Sequence, residues 1–381
     1  MATEQSSRLW NTIQVKADLL CKGLRPTEAA RSIYAMQNPC RDWKTGNVGV
    51  HIVLETGSHV LVTVSHSFDQ QSPYWIEELG TQYMLHRDGK AVCAITPVSM
   101  PAWYRRQTTT GSPMPSIFLH EGRSFLHQAY SGCDFHAEGL ACRFCGAGSS
   151  WRIGTPQEVG ETIEAALREN PAYHACLGGG TRLPLRRNTD YFVACVQEIR
   201  SRTTEIPIWV ETVPPESDAE IRLFVDSGVT GFGFNIEVWD DSWRKTICPG
   251  KSAVPKSRYL DTMKRTASLL GPNRVGSCLI VGLEPMDSSI AGSNELASRG
   301  VQPCVLPFRP WDRSAYSECK PCEPEDLIRV SEAAVTAMLD NGVCPEKNQG
   351  CLLCEGCTID HDIYWLRAQE KGETPHENHG A

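Results

Sequence analysis

Gly132-Cys133-Asp134-Phe135-His136-Ala137-Glu138-Gly139-Leu140-Ala141-Cys142-Arg143-Phe144-Cys145-Gly146 puts three thiols into one loop. Just upstream, Ser124-Phe125-Leu126-His127-Gln128-Ala129 is apolar enough for a short buried strand. Downstream, Thr155-Pro156-Gln157-Glu158 has the pattern of a capping box with proline at the first helical position, and Val159, Ile163, Ala166 and Leu167 then share one helical face. The unit is strand, loop, helix, and the chain repeats it. Apolar runs at 174–177, 206–212, 232–238, 275–281 and 301–306 predict five more strands. Helices are predicted at 191–200, after a second capping box Ser217-Asp218-Ala219-Glu220 that runs to a Gly228 stop, and near 257–270 and 287–298. Six such units with short buried strands predict an α/β fold whose parallel sheet curves into a partial (βα)6 barrel, working at the C-terminal edge of its strands. The three thiols leave the first strand at that edge.

Outside this barrel, assigned to 116–315, lie two other regions. Residues 1–115 read as a strand-rich α+β domain. An amphipathic stretch at 19–33 precedes strand-like runs at 51–54 and 60–64 around Gly57, and a hairpin pairs 83–85 with 91–93 across Arg87-Asp88-Gly89-Lys90. Pro97, Pro101, Pro113 and Pro115 mark a linker. Residues 316–381 form an extension with one helix at 324–341 and a cysteine-dense segment ending near 362. The ends, 1–4 and 371–381, are expected to fray.

Cysteine is over-represented, at 17 of 381 residues. That is ~4.5%, half the density of a disulfide scaffold, in a chain too long to need staples. Residues 1–10 show no basic-then-apolar leader and no 18 apolar residues run together, so a reducing cytoplasm is expected, with no membrane insertion. A net charge of −8 and no basic stripe interleaved with aromatics argue against nucleic acid and for a small-molecule partner.

In a reducing compartment clustered thiols point to metal. Cys133, Cys142 and Cys145 can hold three irons of a [4Fe–4S] cube and leave the fourth open to a chelating ligand. Zinc is the alternative, with His136 as a fourth ligand. The extension offers Cys344-x6-Cys351-x2-Cys354-x2-Cys357, preceded by Cys319-x2-Cys322 and Cys304. Two consecutive Cys-x2-Cys steps suggest a second metal centre, either a second [4Fe–4S] cluster or structural zinc, with Cys344, Cys319 or Cys322 as fourth ligand. Cys176 and Cys278 read as small core residues, and Cys248, in Cys248-Pro249-Gly250-Lys251, has no assigned role.

Over roughly 115–315 the sequence resembles the radical S-adenosylmethionine superfamily, in which a three-cysteine loop after the first barrel strand holds the cluster and an aromatic, here Phe144, precedes the last cysteine. The departure is an eight-residue gap between Cys133 and Cys142 where the family usually has three. Cys176-Leu177-Gly178-Gly179-Gly180-Thr181 resembles the loop that receives the methionine amino group of S-adenosylmethionine, with Thr181 in place of the usual acid and Glu211 at the end of strand three as a substitute. Asn235-Ile236-Glu237 is similar to the ribose-binding pattern of biotin-synthase-like members. The adenine side is matched by the run from Gly276 through Gly282 to Glu284, with Leu306 as apolar wall. Arg258 resembles the arginine that pairs the methionine carboxylate. The tail, the N-terminal domain and Pro-Gly-Lys at 249–251 resemble a biotin-synthase-like bacterial branch found near nitrilase-type genes. The resemblance implies a [4Fe–4S] cluster with S-adenosylmethionine, reductive cleavage to a 5′-deoxyadenosyl radical, hydrogen abstraction from a small molecule, and an electron donor such as flavodoxin or ferredoxin. Sulfur insertion, rearrangement or cleavage is the expected outcome, with metallocofactor maturation and a non-catalytic zinc scaffold as alternatives.

Overall fold

The computed structural model describes residues 2–41, 43, 49–122 and 125–370, without the side chains of 2–4 and 351. The expected fraying of 371–381 therefore lies outside the described residues, whereas residues 2–4 belong to a helix.

Two sheets organise the chain. The first is antiparallel, in the order β2-β1-β5-β4-β3, with β1 Val50–Leu54, β2 His59–Val62, β3 Tyr74–Leu79, β4 Gln82–Arg87 and β5 Lys90–Pro97. Both expected hairpins form, closed at Gly57 and at Asp88-Gly89, all three at positive φ as such turns require. The second sheet is a curled half-barrel of seven strands in sequence order: β6 Phe118–Glu121, β7 Phe125–Gln128, β8 His174–Leu177, β9 Ile208–Glu211, β10 Gly231–Gly233, β11 Val275–Val281 and β12 Gln302–Pro307. Strands β7 to β12 are parallel and match the six expected. The seventh, β6, pairs antiparallel with β7, an edge strand that the β/α pattern did not disclose. Strand four is shorter than expected. After β10 the chain keeps only a single bridge, Glu237 to Leu279, because Glu237 takes a left-handed φ of 68° that no regular strand accommodates.

The helices are α1 Ala2–Lys22, α2 Glu28–Gln37, α3 Asp134–Ala137, α4 Pro156–Glu169, α5 Arg186–Arg200, α6 Asp218–Ser227, α7 Asp241–Ile247, α8 Pro249–Ser252, α9 Lys256–Leu270, α10 Met286–Ser298, α11 Pro324–Asp340 and α12 Asp360–Glu370. The Thr155 capping box closes in both directions at the start of α4. At α6 only half of the second box forms: Ser217 accepts from the Glu220 amide, but the Glu220 carboxylate turns to the Thr189 hydroxyl of α5. The amphipathic stretch at 19–33 is two helices, because Gly23 and Pro26 interrupt it.

Three apolar clusters position the site. Helices α4, α5, α6 and α9 cover the outside of β7 to β11. The first sheet, α1, α11 and α12 pack together with Val281 and Val305 of β11 and β12 in one continuous core. Inside the barrel, Phe125, Cys176, Trp209, Cys278 and Cys304 meet Leu352 and Cys354 from the extension. Leu352 occupies the space that a side chain at Gly276 would need, and Gly350 lies flat on Trp209. The tail then joins the first sheet, where the Leu61 amide of β2 donates to the Gly356 carbonyl at 2.7 Å.

The two ends of the chain are tied by charge. Lys16 of α1 meets Asp362 of α12 at 2.7 Å, both side chains fully buried, and Asp360 accepts from the Val305 amide of β12 at 2.9 Å. Removing one member of a buried pair leaves the other charged and unpartnered, at a cost of about 3–5 kcal/mol. Lys16→Met should lose that much in denaturant unfolding, and adding Asp362→Leu should recover most of it.

Candidate active site

Every parallel strand ends at the same rim, and the residues there enclose a cavity of about 360 Å³. Cys133, Cys142, Phe144 and Cys145 line one side. Gly179, Gly180, Thr181, Glu211, Asn235, Glu237, Cys278, Ile280 and Leu306 line the rest.

The long gap between Cys133 and Cys142 has a structural account. Its residues form the helical turn α3, whose Phe135 is buried against the bare Cα of Gly250, where a Cβ would come 2.5 Å from the ring. The Asp134 carboxylate accepts from Trp151 Nε1 and from the Leu183 amide, each at 2.7 Å. Two backbone bonds fix the loop further: Asp134 N–H to the Thr181 carbonyl at 2.8 Å, and Cys133 N–H to the Gly148 carbonyl at 2.9 Å. The glycine run after β8 makes this closeness possible, since a side chain at Gly180 would collide with the Gly132 carbonyl and sit 2.5 Å from Cys133 Cβ. The Thr181 amide donates to Cys133 Sγ at 3.3 Å.

Burial pushes the Cys145 thiol up to about 11 and raises that of Cys133, while a hydrogen bond from Cys248 pulls Cys142 down. Among the described residues no three Cys, His, Asp or Glu side chains close around a single ion. The loop thiols instead spread over one wall of the cavity. A four-iron cube takes each thiolate on a different iron, so three thiols lining one cavity are the donor set for a [4Fe–4S] group with one iron left for a ligand there.

Other sequence-predicted residues divide into two groups. Asn235 lines the cavity while its Oδ1 accepts from the Cys278 amide at 3.1 Å, and Glu237 pairs with Lys251 at 2.5 Å. Arg258 is not brought there: its guanidinium donates to the Pro215 carbonyl and faces Asp218. Gly178 packs on Glu211 just outside the lining. Gly282, at φ 97°, packs on Cys322 and Phe308, and Glu284 accepts from the Trp239 and Asp240 amides ahead of α7.

The second cysteine group is scattered. Cys319 is exposed, Cys322 is buried beside Cys21 of α1, and Cys344 Sγ lies 3.4 Å from the Tyr364 hydroxyl. The Cys351 side chain lies outside the described residues. Cys354 is buried and Cys357 half-buried, and Cys354 joins Cys176, Cys278 and Cys304 inside the barrel. The thiols of Cys278 and Cys304, paired across β11 and β12, contact one another.

Sequence reasoning missed several cavity residues. Lys251 is half-buried and ion-paired with Glu237. His127 is held protonated more readily than usual, because Glu121 at 3.6 Å outweighs the cost of burial. Tyr130, Arg309 and Trp311 complete the wall. Only the Pro-Gly-Lys run signalled any of these beforehand. The others come together through strand register and the path of the loop after β12.

Residues 129–290 match the Radical SAM superfamily profile. The bacteriochlorophyllide c C-7(1)-hydroxylase of Chlorobaculum limnaeum is 25% identical over 256 residues, which are 61% of this chain and 64% of that one. Similar solved structures include a maturase of the [FeFe]-hydrogenase, 17% identical with a TM-score of 0.46 over 62% of this chain and 55% of that one. Methylornithine synthase is 13% identical, with a TM-score of 0.48 over 63% and 68%. The chain thus spans less than two thirds of the hydroxylase and of the maturase. No described helix is long and apolar enough to cross a membrane. The stretch that matches the radical SAM superfamily, residues 129–290, is the part of the half-barrel that carries the three-cysteine loop.

Proposed function

We propose that the protein is a radical SAM enzyme acting on a small molecule held in the barrel. The observation that carries this reading is the meeting, on one cavity, of the three loop thiols with the glycine turn after β8, Asn235, Glu237 and Leu306. Cys133, Cys142 and Cys145 would hold a [4Fe–4S] group there, and the chemistry it would supply with S-adenosylmethionine is one-electron cleavage of the sulfonium to a 5′-deoxyadenosyl radical able to take hydrogen from the substrate.

The chain's own residues set up that chemistry. Cys133, Cys142 and Cys145 are the cluster ligands, with Phe144 packed between the last two. Gly179 and Gly180 let backbone approach the methionine end, and Glu211, which lines the same cavity as Thr181, takes the amino group. Lys251 rather than Arg258 is the cavity cation nearest the thiols and faces the carboxylate. Asn235 and Glu237 hold the ribose, and Ile280 and Leu306 give the adenine an apolar wall. Burial of the cavity excludes water from a species that would react with it.

A second metal centre is part of the same reading. Its support is the gathering of Cys354 with Cys176, Cys304 and the cavity-lining Cys278 inside the barrel, which favours an iron–sulfur group there over a site built on Cys344, Cys319 or Cys322. Sulfur insertion, rearrangement and cleavage are the outcomes it would serve.

After anaerobic reconstitution the protein should be brown, absorb near 400 nm and release 5′-deoxyadenosine from S-adenosylmethionine under a strong reductant. Cys142→Ala should abolish that release. A colourless protein holding only zinc would identify a scaffold instead. The triple variant Cys133→Ala, Cys142→Ala, Cys145→Ala separates the two centres: iron that persists belongs to the second one, and none persisting would remove it from the proposal.

A further inference from the structure

The run Cys248-Pro249-Gly250-Lys251 has a place in the fold that the reading above uses only at its last residue. We propose that Cys248 is a positioning residue for the cluster, donating its S–H to the sulfur of Cys142 and so raising the reduction potential of the iron–sulfur group held by the loop. The inference rests on the radical SAM reading of that loop.

The segment and the loop are built as one wall. The Arg143 amide, next to Cys142, donates to the Ile247 carbonyl at 2.8 Å, and the Gly250 amide donates to the Leu140 carbonyl at 3.0 Å. Gly250 must be glycine for this docking, because a Cβ would lie 2.8 Å from the Leu140 oxygen as well as against Phe135. Between these two bonds Cys248 is fully buried, and its thiol is in hydrogen-bonding contact with that of Cys142. Arg244, itself buried, clamps the segment from behind: its guanidinium donates to the carbonyls of Lys251 and Val254 and lies over the Tyr259 ring at 4.8 Å. Lys251, three residues on, carries its ammonium to Glu237.

The direction of donation follows from the chemistry of the pair. Once Cys142 is a thiolate on iron it can only accept, so the neighbouring S–H becomes the donor. A hydrogen bond to a ligand sulfur draws negative charge away from the irons and stabilises the reduced form, which carries one more electron. Direct coordination of iron by Cys248 is the competing arrangement.

The test is an EPR-monitored redox titration of the anaerobically reconstituted full chain, using the signal that changes when S-adenosylmethionine is added. Cys248→Ala should keep wild-type iron content and move the midpoint to lower potential; each 59 mV corresponds to a tenfold smaller reduced-to-oxidised ratio at a fixed poise. Cys248→Ser, which keeps a donor, should move back toward wild type. An unchanged midpoint in the alanine variant overturns the inference. Loss of iron in both variants, with melting temperatures unchanged, also overturns it by making Cys248 a ligand. A wild-type chain that gives no signal responsive to S-adenosylmethionine overturns the functional reading itself.

Discussion

The closest approach in the site is between two turns that have no regular structure of their own. The bend after β8 presses Gly180 against the Gly132 carbonyl and Cys133, and the Thr181 amide reaches the Cys133 sulfur. That contact sets where the cysteine loop stands relative to the strands, and through the loop where all three thiols face. The parallel sheet makes it possible, since strands running the same way bring successive loops to one rim. The α3 turn and the Gly250 docking then hold the remainder of the loop.

Around this rim the molecule is buttressed by sequence-distant pieces. The N-terminal helix, the antiparallel sheet and the last two helices share one core with β11 and β12. The Lys16–Asp362 pair locks that core with charge, and a buried pair specifies its own geometry because neither partner tolerates being left alone.

Much of the architecture was legible because parallel strands buried on both faces read as short apolar runs and capped helices carry local signals. The six strands, the Thr155 cap and the Gly228 stop all depend on neighbours in sequence. Strand β6 escaped because an edge strand has no crossover helix to announce it. The three loop cysteines were legible as a group, and so were Asn235, Glu237 and Leu306. Arg258 was misleading because its helix places it against the Pro215 carbonyl, a contact set by packing between α6 and α9. Cys176, Cys278 and Cys304 look like filler one at a time; strand register shows that they share an interior. Lys251 and Cys248 were visible as a motif without a role, because Cys248 meets a loop about a hundred residues earlier and Lys251 meets Glu237 only once the chain has turned back after β10.

The filling of the barrel by Leu352 and Cys354 also bears on how the chain reaches its fold. A barrel whose lower core comes from residues some fifty positions after its last strand cannot finish packing while those residues are still being made. Until they arrive, Trp209 and the space above Gly276 face solvent from below, and the interior thiols are open on two sides rather than one. During that interval the apolar floor of the barrel is exposed surface of the kind that invites aggregation, and the arrival of the extension removes it.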